Sequence, residues 1–196
     1  MKAKPHISVG IAGIVLVLAL FATGCARPPT DEMNNAIEAV TRAETDNDAV
    51  MYASATLARA REALVRMQEE ADSRRFDAAR AHAADAVAIA ERAIAEGRLG
   101  AERARVEAHA LLSDLPPLIA ETEQGMNAAR DAGLDLDFDA LEGALNGARV
   151  RANEAVGDYA AGRYAYALAN GRNARNGLMD INQHISGAAV AVPRGK

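Results

Sequence analysis

The stretch LARAREALVRMQEEADSRRFDAARAHAADAVAIAERA, residues 57–93, decides the fold class. Leu57, Ala60, Leu64, Met67 and Ala71 recur in steps of three and four, which places them on one face of a helix. After Asp72-Ser73 the pattern restarts with Phe76, Ala79, Ala83, Ala86, Ala90 and Ala93. Two amphipathic helices either side of a short polar break predict a helical hairpin. Leu57, Leu64, Phe76 and Ala83 are expected on its packing seam, with alanines that let the helices approach closely.

Outward from this stretch the same periodicity continues. The second helix runs past Gly97 and Gly100 through Ala104, Ala108 and Leu111. Each glycine costs about 1 kcal/mol against Ala inside a helix, so these two are the expected bends. Pro116-Pro117 is expected to stop the helix and to occupy the first turn of the next. Upstream, Thr30 is a good N-cap and Asp31-Glu32 suit a helix's positive first turn, with Asp46-Asn47-Asp48 breaking that helix after Thr45. Downstream, Gly133 reads as a C-cap, and Asp139 with Glu142 reads as a capping box. The helix that follows carries Leu141, Leu145, Ala148, Ala152 and Ala155; the last carries Tyr164, Ala167, Gly171, Ala174, Leu178, Ile181 and Ile185. No stretch alternates like a strand. The expected fold is all-α: antiparallel helical hairpins forming a bundle or an elongated coiled-coil-like or tetratricopeptide-like array. One helical domain is expected over 31–186, with hairpins at about 49–113 and 138–186 and a flexible tail over 187–196.

Sliding the chain by 88 positions aligns Leu57 with Leu145, Arg75-Phe76 with Arg163-Tyr164, Ala79 with Ala167, Ala83 with Gly171 and Ala86 with Ala174. Leu145 and Tyr164 therefore join the expected seam, with the aromatic plugging the turn end of each hairpin. A duplicated hairpin explains the alignment; chance agreement between alanine-rich segments is the alternative. The period and signature residues of tetratricopeptide repeats are missing.

The first 25 residues speak of location. Lys2 and Lys4 precede an apolar run from Ile7 to Phe21, short of the roughly 20 residues a spanning helix needs. Small residues follow, then Cys25, the only cysteine in the chain. Ala22-Thr23-Gly24-Cys25 resembles the lipobox of bacterial lipoproteins, with Ala22 where Leu is commoner. The resemblance implies cleavage between Gly24 and Cys25 and acylation of the cysteine. A bystander cysteine behind an ordinary secretion signal, or part of a membrane-spanning anchor, are the competing readings. Pro28-Pro29 then reads as a short stiff tether, so that 1–24 is signal and 25–30 lipidated tether. In enterobacteria-like lipoproteins an Asp after the cysteine favours the inner membrane, so with Ala26 there the resemblance implies the outer membrane, facing the periplasm, in a cell that has one.

The first hairpin also resembles a family. Tyr52-Ala53, Leu57, Ala60, Leu64, Arg75-Phe76, Ala79, Ala83 and Ala86 look like an alanine-rich helical domain of unknown function, found behind lipoprotein signals in Gram-negative envelopes. The likeness covers roughly 33–95 and implies no catalytic residue. Some members continue into an OmpA-like peptidoglycan-binding domain; here more helix follows, so wall binding is not implied.

Charge and chemistry narrow the function further. The formal charge is −5, and losing Lys2 and Lys4 with the signal makes it −7, the wrong sign for a nucleic-acid partner. Asp135, Asp137 and Asp139 alternate as a calcium loop opens, but Ala140 and Asn146 occupy the places of its Gly and Glu, so helix capping is expected instead. His82, His109 and His184 lack metal-ligand spacing. An enzyme would require polar groups such as His109 and Glu121 to converge. Gly143 and Gly147 form a GxxxG that reads as close packing of soluble helices. Glu69-Glu70 and Arg74-Arg75 flank a turn and read mainly as solvated charge. These observations predict a non-enzymatic, lipid-anchored envelope protein without cofactor or metal. Its partners would be the membrane through covalent lipid, and another protein or a second copy. A passive spacer, a wall-associated protein and a carrier of small apolar ligands are the alternatives.

Overall fold

Three tight turns set the course of the chain, and all three have the same chemistry. Arg74 lies at φ 58, Gly133 at φ 67 and Gly162 at φ 74. Around the first, the Arg75 amide donates to Glu70 O and the Arg74 amide to Ala71 O. Around the third, Arg163 donates to Asp158 O and Gly162 to Tyr159 O; around the second, Leu134 donates to Ala129 O and Gly133 to Arg130 O. This pair of bonds satisfies the last carbonyls of a helix and reverses the chain through one left-handed residue. Glycine takes that conformation freely, whereas a side chain at the same place costs roughly 1–2 kcal/mol. Arg74 is the one non-glycine residue with positive φ among the described residues.

The computed structural model describes residues 27–191; the signal region 1–24, Cys25 and the last five residues lie outside them. The described chain is six helices, with no strand among its residues: α1 (Thr30–Thr45), α2 (Asn47–Tyr52), α3 (Ser54–Asp72), α4 (Phe76–Asp131), α5 (Phe138–Ala160) and α6 (Tyr164–Ala191). The fold is an all-α helical bundle, divided into two compact units. One unit holds the described residues up to Thr45 with Ala55–Arg92, and the other holds Asp46–Ser54 with the described residues from Ala93 on.

In the first unit Ala36, Ala39, Val40 and Ala43 of α1 are buried, as are Leu57, Ala60, Ala63 and Met67 of α3 and Ala79, Ala83, Ala86 and Ala90 of α4. Leu57 and Ala83 sit in the seam, while Leu64 and Phe76 are half-buried at its border. Ala63 takes the central place on α3 that the spacing assigned to Leu64, because the smaller side chain lets the helices close on it. Arg61 pairs with Glu44 at 2.5 Å and Arg80 with Glu32 at 3.3 Å, tying α1 to both arms of the hairpin.

In the second unit the contacts fix the directions of α5 and α6 against α4. Arg130 of α4 pairs with Glu142 of α5, and Glu123 with Arg149, so α5 runs back along α4. Gly171 of α6 meets Leu111, and Asn182 meets Thr122, so α6 runs the same way as α4. The result is an up-down-up bundle around Leu115, Met126, Leu141, Leu145, Leu178 and Ile181.

Three expectations are corrected here. Pro116 and Pro117 do not end a helix; α4 is continuous over 56 residues. Proline deprives the carbonyls of Leu112 and Ser113 of intrahelical donors, but Leu115 before the pair and Met126 after it are buried in one core, which holds the helix together. Gly97 and Gly100 lie inside this continuous helix and serve a close approach. A Cβ on Gly97 would come within 2.5 Å of the Ala49 amide nitrogen, so its bareness admits the backbone of α2. The cap of α5 is Asp137, whose carboxylate accepts from the Ala140 amide at 3.0 Å, two residues before the expected Asp139. Glu142 closes no capping box and pairs with Arg130 instead. Helix also persists past Ser186 to Ala191, into the span expected to be a loose tail.

The turns at Arg74 and Gly162 stand 88 positions apart and share the bond pattern residue for residue. They share an ion pair too, Glu70 with Arg75 and Asp158 with Arg163. Beyond each turn the buried positions correspond, Ala79, Ala83, Ala86, Ala90 and Ala93 in α4 with Ala167, Gly171, Ala174, Leu178 and Ile181 in α6.

Candidate functional site

An open recess lies in the second unit, on the seam between α4 and α5. Leu112, Leu115, Pro116, Ile119 and Ala120 line one wall, and Arg149, Ala152, Asn153 and Val156 the other. Of the proline pair, Pro116 lines this wall and adds its apolar ring to it. Leu115 is buried at its floor and Leu112 and Ile119 are half-buried, while Val156 stands 56% exposed at the rim. The Glu123–Arg149 ion pair borders the groove and joins its two walls. The arrangement offers apolar area open to solvent, with a charged pair beside it.

A second cluster gathers three of the four tyrosines in the same unit. Tyr159 lies 5.4 Å from Tyr164 and 6.1 Å from the ring of His109, both tilted. With Tyr52 these rings pack over Ala104, Ala108, Leu111, Ala167 and Leu168. Tyr164, half-buried, thus covers the turn end of the α5–α6 hairpin, and Leu145 lies buried further along it. Burial pushes the Tyr52 hydroxyl up from its ordinary pKa, an effect the neighbouring Ala165 amide partly opposes. Arg105 is paired with Glu102, whose carboxyl that hydrogen bond holds below its usual value.

The other singled-out residues fall apart from one another. His109 and Glu121 are both exposed on α4 and twelve positions apart, about 18 Å along the axis, so they form no cleft. His82 has Asp85 at 3.9 Å on its own helix. No group of three or more His, Cys, Asp or Glu that could hold a metal ion occurs among the described residues. Asp137 caps α5 and does not open a calcium loop. Gly143 and Gly147 face open space, so their GxxxG is not a packing seam; the close approaches are at Gly97, Gly100 and Gly171. Cys25 and Gly24 lie outside the described residues. No helix among the described residues is long and apolar enough to cross a membrane.

The sequence reading missed the groove because its floor and walls share the core stripe. Ile119 lies between Leu115 and Thr122 on that stripe and Val156 adjoins buried Ala155, so both read as ordinary packing residues. The usable signal was Pro116-Pro117 embedded in an unbroken apolar periodicity, which places an apolar ring on a helix wall. No family model, no curated protein and no solved structure matches the chain.

Proposed function

We propose that this is a lipid-anchored envelope protein, tethered through Cys25 to the outer membrane and facing the periplasm, whose second unit docks a helix of another protein in the α4–α5 groove. The single observation that carries the docking is the open apolar groove over Leu112, Ile119 and Val156 with a charged pair beside it. An amphipathic helix lays its apolar face into such a groove, and a bordering ion pair can re-pair with charges flanking that face. The anchor rests on the sequence Ala22-Thr23-Gly24-Cys25.

The test is site-directed photo-crosslinking in the native envelope. A photoreactive residue at Val156 is expected to capture one recurrent protein, and the same residue at exposed Val106 is not. Cys25→Ala should abolish the capture by removing the anchor. Equal crosslinking from both positions would rule out the groove as the docking site.

A carrier of small apolar ligands is the second reading, favoured by the volume of the groove, about 530 Å³. That lies within the range of small-molecule pockets, but such pockets bury most of the ligand's surface. An open seam serves a helix better than a free ligand.

A further inference from the structure

We propose that the tip of the α3–α4 hairpin is a membrane-contact surface, with Arg74 binding the phosphates of phospholipid headgroups in the leaflet that carries the anchor. The proposal rests on the acylation of Cys25 argued above and adds a face and an orientation to it.

The first observation is where the packed chain begins. Pro29 is buried, the Met33 amide donates to Pro29 O, and the Arg80 guanidinium reaches Arg27 O at 3.4 Å. The Pro28-Pro29 segment is therefore part of the first unit, not a free spacer. Only Ala26 stands between Arg27 and Cys25, a reach of at most about 7 Å from one Cα to the other. The polar layer on each side of a bilayer is about 5–7 Å deep. An acylated Cys25 thus holds Arg27 at or just above the headgroups.

The second observation is what shares that end. Arg80 is one turn into α4, which begins at Phe76, so its contacts with Arg27 and Glu32 bring the start of α1 level with the hairpin tip at 73–75. All of these residues belong to the first unit.

The third observation is the strained residue at the tip. Gly133 and Gly162 hold the left-handed position of the two like turns, and Arg74 holds it here, exposed, at φ 58. The fold gains nothing from a side chain there, so the conformational cost points to a role in solution. Of the carboxylates at this end, Glu70 pairs with Arg75, Glu32 and Asp77 with Arg80, and Asp72 accepts from Gln68, while Asp31 and Glu69 are exposed to solvent. Among the described residues no carboxylate pairs with Arg74 or Arg27. A guanidinium matches the fork of a phosphate, and an unengaged one at headgroup height is placed to use it.

The full-length acylated protein tests this in phosphatidylcholine vesicles with and without phosphatidylglycerol. Once the Cys25 thiol is a thioether, Ser73→Cys supplies a unique thiol for a fluorophore, and Thr45→Cys at the far end of α1 supplies the control. Lipids spin-labelled at the headgroup are expected to quench the label at position 73 several-fold more than that at 45. Arg74→Glu should remove most of that difference on the anionic vesicles, and Arg74→Gly should weaken it while leaving the thermal midpoint unchanged or raised. Equal quenching at the two sites, or an Arg74→Glu protein that behaves like wild type, overturns the proposal while anchoring stands. Mass spectrometry that finds no thioether on Cys25 removes the anchor, and this surface with it.

Discussion

Replacing Gly97 by Ala should destabilise the second unit, although the same change in an unencumbered helix stabilises it. Glycine in a helix interior costs about 1 kcal/mol relative to Ala, so helix propensity alone favours the substitution by that amount. Here, however, the new Cβ would lie 2.5 Å from the Ala49 nitrogen, 2.6 Å from the Asp48 carbonyl carbon and 2.7 Å from the Ala49 Cα. All three are backbone atoms of α2, which cannot swing aside as a side-chain tip can. α2 is fixed at its start by Asp46, whose carboxylate accepts from the Ala49 amide at 2.8 Å. Forcing a methyl into such a contact costs about 1–3 kcal/mol, and backbone neighbours place it at the upper end. The net expectation is a loss of about 2 kcal/mol. Gly143→Ala and Gly147→Ala are the internal controls, since nothing lies within 4 Å of either added Cβ. Each should gain about 0.5–1 kcal/mol. Urea denaturation followed by circular dichroism, with the slope checked for constancy, reads all three. A Gly97→Ala protein as stable as the two controls would refute the packing of α2 against α4.

Leu178 is fully buried among Leu115, Leu145 and Ile181, so Leu178→Ala should cost about 2–5 kcal/mol in the same assay. Pro116→Ala restores an N–H for the Leu112 carbonyl at an exposed helical position and should stabilise the protein by about 1–3 kcal/mol in the same assay; a loss would refute the view that this proline is a net cost to α4. The hydrogen bonds from Arg75 and Arg105 hold the carboxyls of Glu70 and Glu102 below their ordinary value. Folded values below the unfolded ones mean that this stabilisation is complete above the ordinary Glu range near pH 4.5 and drains away as pH falls through the lowered values. A thermal-midpoint titration should therefore fall in that acid window, less steeply for Glu70→Gln, and high salt should flatten it because both pairs are exposed.

The helices were legible in the sequence because an amphipathic period of 3.6 is a local property. Leu57, Ala60 and Met67, then Ala79, Ala83, Ala86 and Ala90, lie buried as their spacing requires. The cap at Gly133 was legible for the same reason, since a glycine just past the last helical positions marks a left-handed C-cap locally. Arg74 concealed its turn's geometry, because nothing in a short charged run reveals that a non-glycine residue is held left-handed.

What the sequence alone determined was helix, seam and hairpin, together with the Cys25 motif that bears on location. Tertiary structure decided the rest, and each case turns on contacts between distant residues. Pro116-Pro117 stops a helix in isolation; the buried side chains on either side keep this one whole. Gly97 costs stability in isolation; the backbone of α2, some fifty residues earlier, makes its bareness necessary. Ala63 rather than Leu64 faces the core because neighbouring helices choose among adjacent positions by size. Whether a helix ends, bends or opens a groove is set by what packs against it, and that information lies in no single stretch of the chain.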